Sequence, residues 1–260
     1  TMTASTADFA LQLNLAQRVN VGDMLTRSAA RDPHKTALVE GARRISYQDF
    51  NHWVNRTAHG LLALGYRQGD ALALMSGNCM EFLVTYYACA KIGVVCTPLN
   101  LFWRQGELSY VLGHAQVRGV VAQQRWLGEL ALVLGDLPAI RDLIVIEGPA
   151  PADIALPQRV QVQSLAQLGD GRAQTDPEVL VQDRAPLSYL YTSGTTSAPK
   201  GVVGSHLAIY LESLGVIIDT ELKAKDRMVA MMPMFHTAQL NAFCTPTIAS
   251  NATLYILEAY

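Results

Sequence analysis

Short apolar runs bounded by turn residues alternate along this chain with segments whose apolar side chains recur at helical spacing. That alternation limits the available folds more than any other feature. Ser46 opens S-Y-Q-D, a variant capping box, and the FNHWVNRTAHGLLAL that follows from it has helical periodicity. Gly65 is placed to end that helix. DALALMS then reads as a short strand, Asn78 as the cap of a helix running through Lys91, and Gly93 as its terminator. VVCTPLN is strand-like, RQGELSYVLGHA helical, RGVVAQ strand-like, RWLGELALVLG helical and DLIVIE strand-like. Strands and helices of these lengths in alternation predict parallel βαβ units, hence an α/β fold of mostly parallel sheets with helices on their faces.

The rhythm breaks between Gly148 and Arg184. Pro149, Pro151, Pro157, Pro177 and the turn-like Gly169-Asp170-Gly171-Arg172 mark a surface connection with one short helix at Ser164 to Leu168. We place a boundary there, between an N-terminal α/β subdomain at 1–184 and the start of a second at 185–260. In the second, PLSYLYT is a strand, a helix starts near Ser205, DRMVAMM is a strand, a helix starts near Phe235, and ATLYIL is a strand. No covering helix follows that last strand, so the sequence reads as cut off in mid-domain.

Composition removes several classes of function. Half of the 260 residues are apolar, enough for a real core, and 16% are charged, too few for extensive disorder. A net charge of −2 offers no basic face to nucleic acid. The six histidines pair at no metal-ligand spacing, and the four cysteines, Cys79, Cys89, Cys96 and Cys244, form no CxxC. Their apolar surroundings suit buried thiols in a reducing compartment. The N-terminal TMTASTADFALQLNLAQ lacks the basic start and apolar core of a secretory signal. No run reaches the roughly 20 apolar residues of a membrane span, since Lys91 and Gly93 interrupt the longest candidate. These observations predict a soluble cytoplasmic protein; oligomeric state is left open, an apolar edge being a surface for self-association.

Chemistry concentrates in Tyr191-Thr192-Ser193-Gly194-Thr195-Thr196-Ser197-Ala198-Pro199-Lys200-Gly201. Hydroxyls crowd a turn shaped by glycine and proline, a lysine closes it, and a predicted strand leads into it. Backbone N–H groups of such a turn can converge on an anion, hydroxyls add donors, and lysine adds a mobile point charge. The segment contains no acidic residue, which suits a polyphosphate cradle better than an ordinary polar loop. It is not a Walker A loop, because Lys200 precedes Gly201 where that motif needs glycine before lysine.

YTSGTTSAPKGVV resembles the phosphate-binding signature of the adenylate-forming (AMP-binding) superfamily, which comprises acyl-CoA synthetases, peptide-synthetase adenylation domains and luciferases. Met232-Pro233-Met234-Phe235-His236 resembles the family's next motif, and Gly204-Ser205-His206 its linker into a helix. Ser46-Tyr47, Lys91-Ile92-Gly93 and Thr97-Pro98-Leu99-Asn100 resemble its N-terminal elements, so the likeness covers nearly the whole chain. One departure is Ser197, where the family usually has glycine; a positive φ there would cost serine on the order of 1 kcal/mol. Serine occurs in some ligases of the family, the carnitine type among them, which favours acyl-CoA ligases over peptide-synthetase domains.

The resemblance implies the N-terminal part of an ATP-dependent acyl-CoA synthetase using ATP, Mg²⁺ and coenzyme A on a carboxylic acid. It assigns Thr192, Ser193, Gly194, Thr195, Thr196, Ser197, Lys200 and Gly201 to the ATP (or AMP) phosphates, and Thr195 and Thr196 also to Mg²⁺. It places His236 at the acyl carboxylate, with Ala238 and Phe243 as pocket wall. Met231, Met232 and Met234 are expected in the core. The adenine, ribose, hinge and late-lysine elements of the family would follow Tyr260, so the chain alone is expected to complete neither half-reaction. A non-catalytic nucleotide- or acyl-binding module and a peptide-synthetase adenylation domain are the alternatives.

Overall fold

The structure is a computed structural model that describes residues 6–192 and 198–258. In chain order its elements are α1 (Thr6–Gln17), α2 (Val21–Arg31), β1 (Thr36–Glu40), β2 (Arg43–Ser46), α3 (Tyr47–Ala63), β3 (Ala71–Met75), α4 (Met80–Ile92), β4 (Val95–Pro98), α5 (Gln105–His114), β5 (Val117–Ala122) and α6 (Leu127–Leu134). There follow β6 (Asp142–Val145), β7 (Gln161–Ser164), α7 (Leu165–Gly169), β8 (Pro186–Thr192), β9 (Lys200–Ser205), α8 (His206–Asp219), β10 (Arg227–Ala230), the single turn α9 (Thr237–Gln239), α10 (Thr245–Ala249) and β11 (Thr253–Ile256). A π-helical turn, Leu240–Cys244, joins α9 to α10.

Two sheets organise these elements. The larger runs β7-β6-β5-β3-β4-β8-β9, and every pair in it is parallel except β8 with β9. The smaller runs β10-β11-β1-β2, with only β1 and β2 antiparallel. The α/β reading with mostly parallel sheets therefore holds. Each sheet takes strands from both sides of position 184.

The two-residue period of β3 divides the core. Leu72 and Leu74 face a cluster built with α2, α3 and α4, whereas Ala71, Ala73 and Met75 face one built with α5 and α6. All five residues are buried, as a parallel strand covered on both faces must be. α4 is buried on every side, with only Glu81 partly exposed, because its MEFLVTYYACAKI has no polar face to offer solvent.

Local signals fix several helix ends where expected. The Ser46 Oγ accepts the Asp49 N–H at 3.0 Å and Ser205 Oγ that of Ala208 at 3.2 Å, so both cap as read. Gly65 and Gly93 adopt φ of +86° and +71° just past α3 and α4, a left-handed turn that a β-carbon would oppose.

Other elements depart from the reading. Asn78 does not cap α4; Cys79 stands at the cap position without a side-chain bond, and the Met80 N–H donates instead to Glu40 Oε2 at 2.8 Å. The connection after Gly148 contains strand β7 as well as α7, which Ser164 caps by accepting the Gln167 N–H at 3.1 Å. Of the expected linker Gly204-Ser205-His206, the first two residues end the antiparallel edge strand β9 and His206 begins α8. Among the described residues no helix is long and apolar enough to cross a membrane.

Candidate functional site

β8 delivers Thr192 to the mouth of the hydroxyl-rich segment, and β9 leaves it at Lys200. The two strands pair Thr192 with Lys200 and Tyr191 with Gly201, and the Thr192 Oγ lies 3.5 Å from the Lys200 carbonyl. Both stems are therefore tied across the gap by the sheet ladder. Of the expected phosphate-contacting residues, Ser193, Gly194, Thr195, Thr196 and Ser197 lie outside the described residues, so the structure describes Thr192, Lys200 and Gly201 alone.

A cleft of about 410 Å³ opens beside the β8 stem. Tyr191, Thr192, Val202, Ile209, His236 and Asn241 are among its walls. It thus joins Thr192 to His236, residues from the two motifs. Lys200 and Gly201 stand at the other stem, outside the cleft wall. His236 is exposed, immediately before α9, and its ring meets that of Phe235 at 4.5 Å between centroids. Ala238 lines the cleft, whereas Phe243 does not.

The segment carrying His236 is held by amides that no local pattern discloses. Asn78 Nδ2 donates to the Met232 carbonyl at 2.9 Å, and its Oδ1 accepts the Met234 N–H at 2.8 Å. From the other side the buried Gln239 Oε1 accepts the N–H groups of Met231 and Met232 at 3.2 and 3.0 Å. The turn closes through the His236 N–H to the Pro233 carbonyl at 3.1 Å. Met234 is buried as expected, but Met231 and Met232 remain 46% and 38% exposed, outside the core. Met231 instead borders a second, largely apolar cleft with Phe102, Arg125 and Trp126.

Asn241, in the cleft wall, joins a buried polar pair. The fully buried Tyr86 donates through Oη to Asn241 Oδ1 at 2.8 Å, and Asn241 Nδ2 donates to Thr237 Oγ at 3.0 Å. Burial holds the Tyr86 phenol well above its ordinary range, so it remains a donor. Partial burial, with Tyr110 and Tyr189 nearby, also raises the Tyr191 phenol. Among the described residues no group of three or more His, Cys, Asp or Glu side chains could hold a metal ion.

Comparison with known proteins identifies the family. The model of the family described as AMP-binding enzyme matches residues 25–260. The chain is 32% identical over 239 residues to crotonobetaine/carnitine–CoA ligase of Escherichia coli, covering 87% of the chain and 44% of that protein. It is 31% identical over 224 residues to long-chain-fatty-acid–CoA ligase FadD13 of Mycobacterium tuberculosis, covering 85% of the chain and 42% of that protein. The chain thus spans less than half the length of these relatives. Among solved structures, the N-terminal domain of FACL13 from Mycobacterium tuberculosis superposes with a TM-score of 0.77 at 29% identity, over 93% of this chain and 57% of that one. A strand-borne hydroxyl-rich segment ending in PKG, a His236 motif across the cleft and a family match from residue 25 onward lead to one conclusion: the chain belongs to the AMP-binding, adenylate-forming enzymes.

Proposed function

We propose that this chain is the part of an acyl-CoA synthetase that binds the ATP phosphates and the acid's carboxylate. The observation that carries the reading is the shared cleft, where Thr192 at the stem of the hydroxyl-rich segment and His236 form walls of one cavity. In the reaction the carboxylate oxygen attacks the α-phosphorus of ATP, the bond to the β-phosphate oxygen breaks, and pyrophosphate leaves. The thiol of coenzyme A then attacks the acyl carbon and AMP departs. Two anions must meet in the first step, so the protein has to align them and offset charge on the leaving pyrophosphate.

Thr192, Ser193, Gly194, Thr195, Thr196, Ser197, Lys200 and Gly201 are assigned to the phosphates, with Lys200 as the mobile positive charge. His236, held from behind by the amides on the Met232–Met234 backbone, is assigned to the carboxylate end. Mg²⁺ would neutralise charge on phosphate oxygens. Its assignment to Thr195 and Thr196 rests on hydroxyls outside the described residues, which supply oxygen donors of the type that ion takes.

The test is acid-dependent exchange of label between ATP and pyrophosphate, measured on the protein at its natural length for wild type and Lys200→Ala. Loss of exchange at unchanged melting temperature is expected. Exchange that survives the substitution at the same ATP dependence overturns the phosphate assignment.

A further inference from the structure

The stems of the hydroxyl-rich segment are not held by the sheet ladder alone. Tyr191, one residue before the end of β8, packs with Tyr189 against the core on the α5–α6 side of the large sheet. There its Oη lies 2.7 Å from His114 Nδ1, at the last position of α5. The His114 ring stacks on Tyr110 at 5.4 Å between centroids with an interplanar angle of 23°. Trp103, almost wholly buried, meets the Tyr191 ring edge-on at 6.5 Å. Tyr191 is thus fixed at its hydroxyl by an imidazole that is itself fixed by a stack, and at its ring by an indole.

That ring also bears on the other stem. A β-carbon at Gly201 would come to 3.0 Å from the Tyr191 Cζ, so Tyr191 crosses β9 at a point where any side chain would press on its ring. Both ends from which the segment departs, Tyr191 on β8 and Gly201 on β9, are referred through one phenol to one histidine on a neighbouring helix. His114 lies outside the cleft wall and outside both motifs.

We infer that His114 is a positioning residue, acting through Tyr191 to hold the two stems of the phosphate-binding segment in register. The inference rests on the phosphate reading of that segment for its functional consequence, and on geometry alone for its structural one. A polyphosphate site made of loop donors needs its stems fixed, because donors displaced by about 1 Å lose much of their effect.

The experiment combines amide hydrogen exchange with calorimetric titration of magnesium-ATP into the protein at its natural length. It compares wild type, His114→Leu, His114→Asn, Tyr191→Phe and the double variant Tyr191→Phe/His114→Leu. His114→Leu is expected to speed exchange in peptides spanning 189–192 and 200–203 while leaving the β3 and β5 peptides unchanged. His114→Asn, which offers a polar atom near the Nδ1 position, is expected to restore slow exchange, a rescue that generic packing at this site would not give. Affinity for magnesium-ATP is expected to fall about two- to fivefold in His114→Leu and in Tyr191→Phe, with no further fall in the double variant. Unchanged stem exchange in both single variants, or losses that add in full, would overturn the inference. Should His114→Leu fail to fold, Tyr191→Phe removes only the hydroxyl and carries the same comparison. Failure of the natural-length wild-type protein to take up ATP counts against the phosphate reading, and the exchange data then decide the role of His114 by themselves.

Discussion

Asn78 accepts the backbone N–H of Met234 at 2.8 Å while donating to the Met232 carbonyl, so one buried amide at the entrance to α4 grips a segment 154 to 156 positions away. The relationship ties the large sheet's βα turn to the loop that presents His236. Asn78→Ala leaves a backbone donor and acceptor without their partner in a nearly closed environment. The expected loss is about 1–3 kcal/mol of stability, read from denaturant unfolding. Because the loop carries His236, ligand affinity at the cleft is expected to fall as well. Stability indistinguishable from wild type would mean that water replaces the amide without penalty.

Lys91 makes a second long-range tie. Its Nζ, 1% exposed, donates to Thr26 Oγ, Asn51 Oδ1 and Asn55 Oδ1, each at 2.7 Å, and pairs with Asp176. One ammonium thereby joins α2, α3 and α4 to the connection that follows α7. Lys91→Met keeps the stem but strands the two amide oxygens of Asn51 and Asn55, and is expected to cost about 3 kcal/mol. Asp176→Asn is expected to cost less, because the buried ammonium keeps its three other oxygen acceptors and can gain the asparagine carbonyl in place of the half-exposed carboxylate. Equal melting temperatures for the two variants would contradict this ranking.

These two residues show where sequence reasoning reaches and where it stops. Capping by Ser46 and Ser205, and termination by Gly65 and Gly93, follow from interactions within a few positions, so a local pattern suffices. Asn78 matches the same capping pattern, yet long-range partners win its amide, and Glu40 accepts the helix N–H of Met80 instead. The small sheet escapes the reading because β1 and β11 pair across more than 200 positions, Leu38 with Leu254, and nothing local reports such a pairing. At the site, Thr192, Lys200 and His236 stand out by motif. The Asn241–Tyr86 pair and the His114–Tyr191 bond do not, since each joins residues far apart in the sequence and Tyr86, Asn241 and His114 lie in stretches that look like ordinary helix.

The Tyr86–Asn241 pair can be tested by its asymmetry. Tyr86→Phe removes one hydroxyl and leaves the buried Asn241 Oδ1 without its donor, an expected loss of about 1–3 kcal/mol. Replacing both partners, Tyr86→Phe with Asn241→Leu, removes the unsatisfied group and is expected to recover part of that loss. Denaturant unfolding of the two single variants and the double variant measures the coupling. A double variant as unstable as the sum of the singles would show that the two groups act independently.

His206 gives a prediction in pH. Its ring is fully buried at the start of α8, Nδ1 accepts the Val21 N–H at 3.3 Å, and Nε2 has no partner among the described residues. Burial first, and the charge of Arg18 second, push its pKa down to about 4 from the usual 6.5. A proton on Nδ1 would face the Val21 N–H donor to donor. In the unfolded chain the imidazole takes up its proton as pH falls through 6.5, whereas in the folded chain it resists until about 4. The unfolded state therefore binds more protons in that window, and stability must rise with pH across it. The contribution is fully present above pH 6.5, declines on acidification, and is exhausted near pH 4, a total of about 3 kcal/mol. His206→Asn cannot charge but keeps an acceptor for Val21, so its stability between pH 4 and 6.5 is expected to vary less steeply than that of wild type. Parallel pH profiles for the two proteins would show that His206 titrates alike in the folded and unfolded chains, and would remove burial as a brake on its protonation.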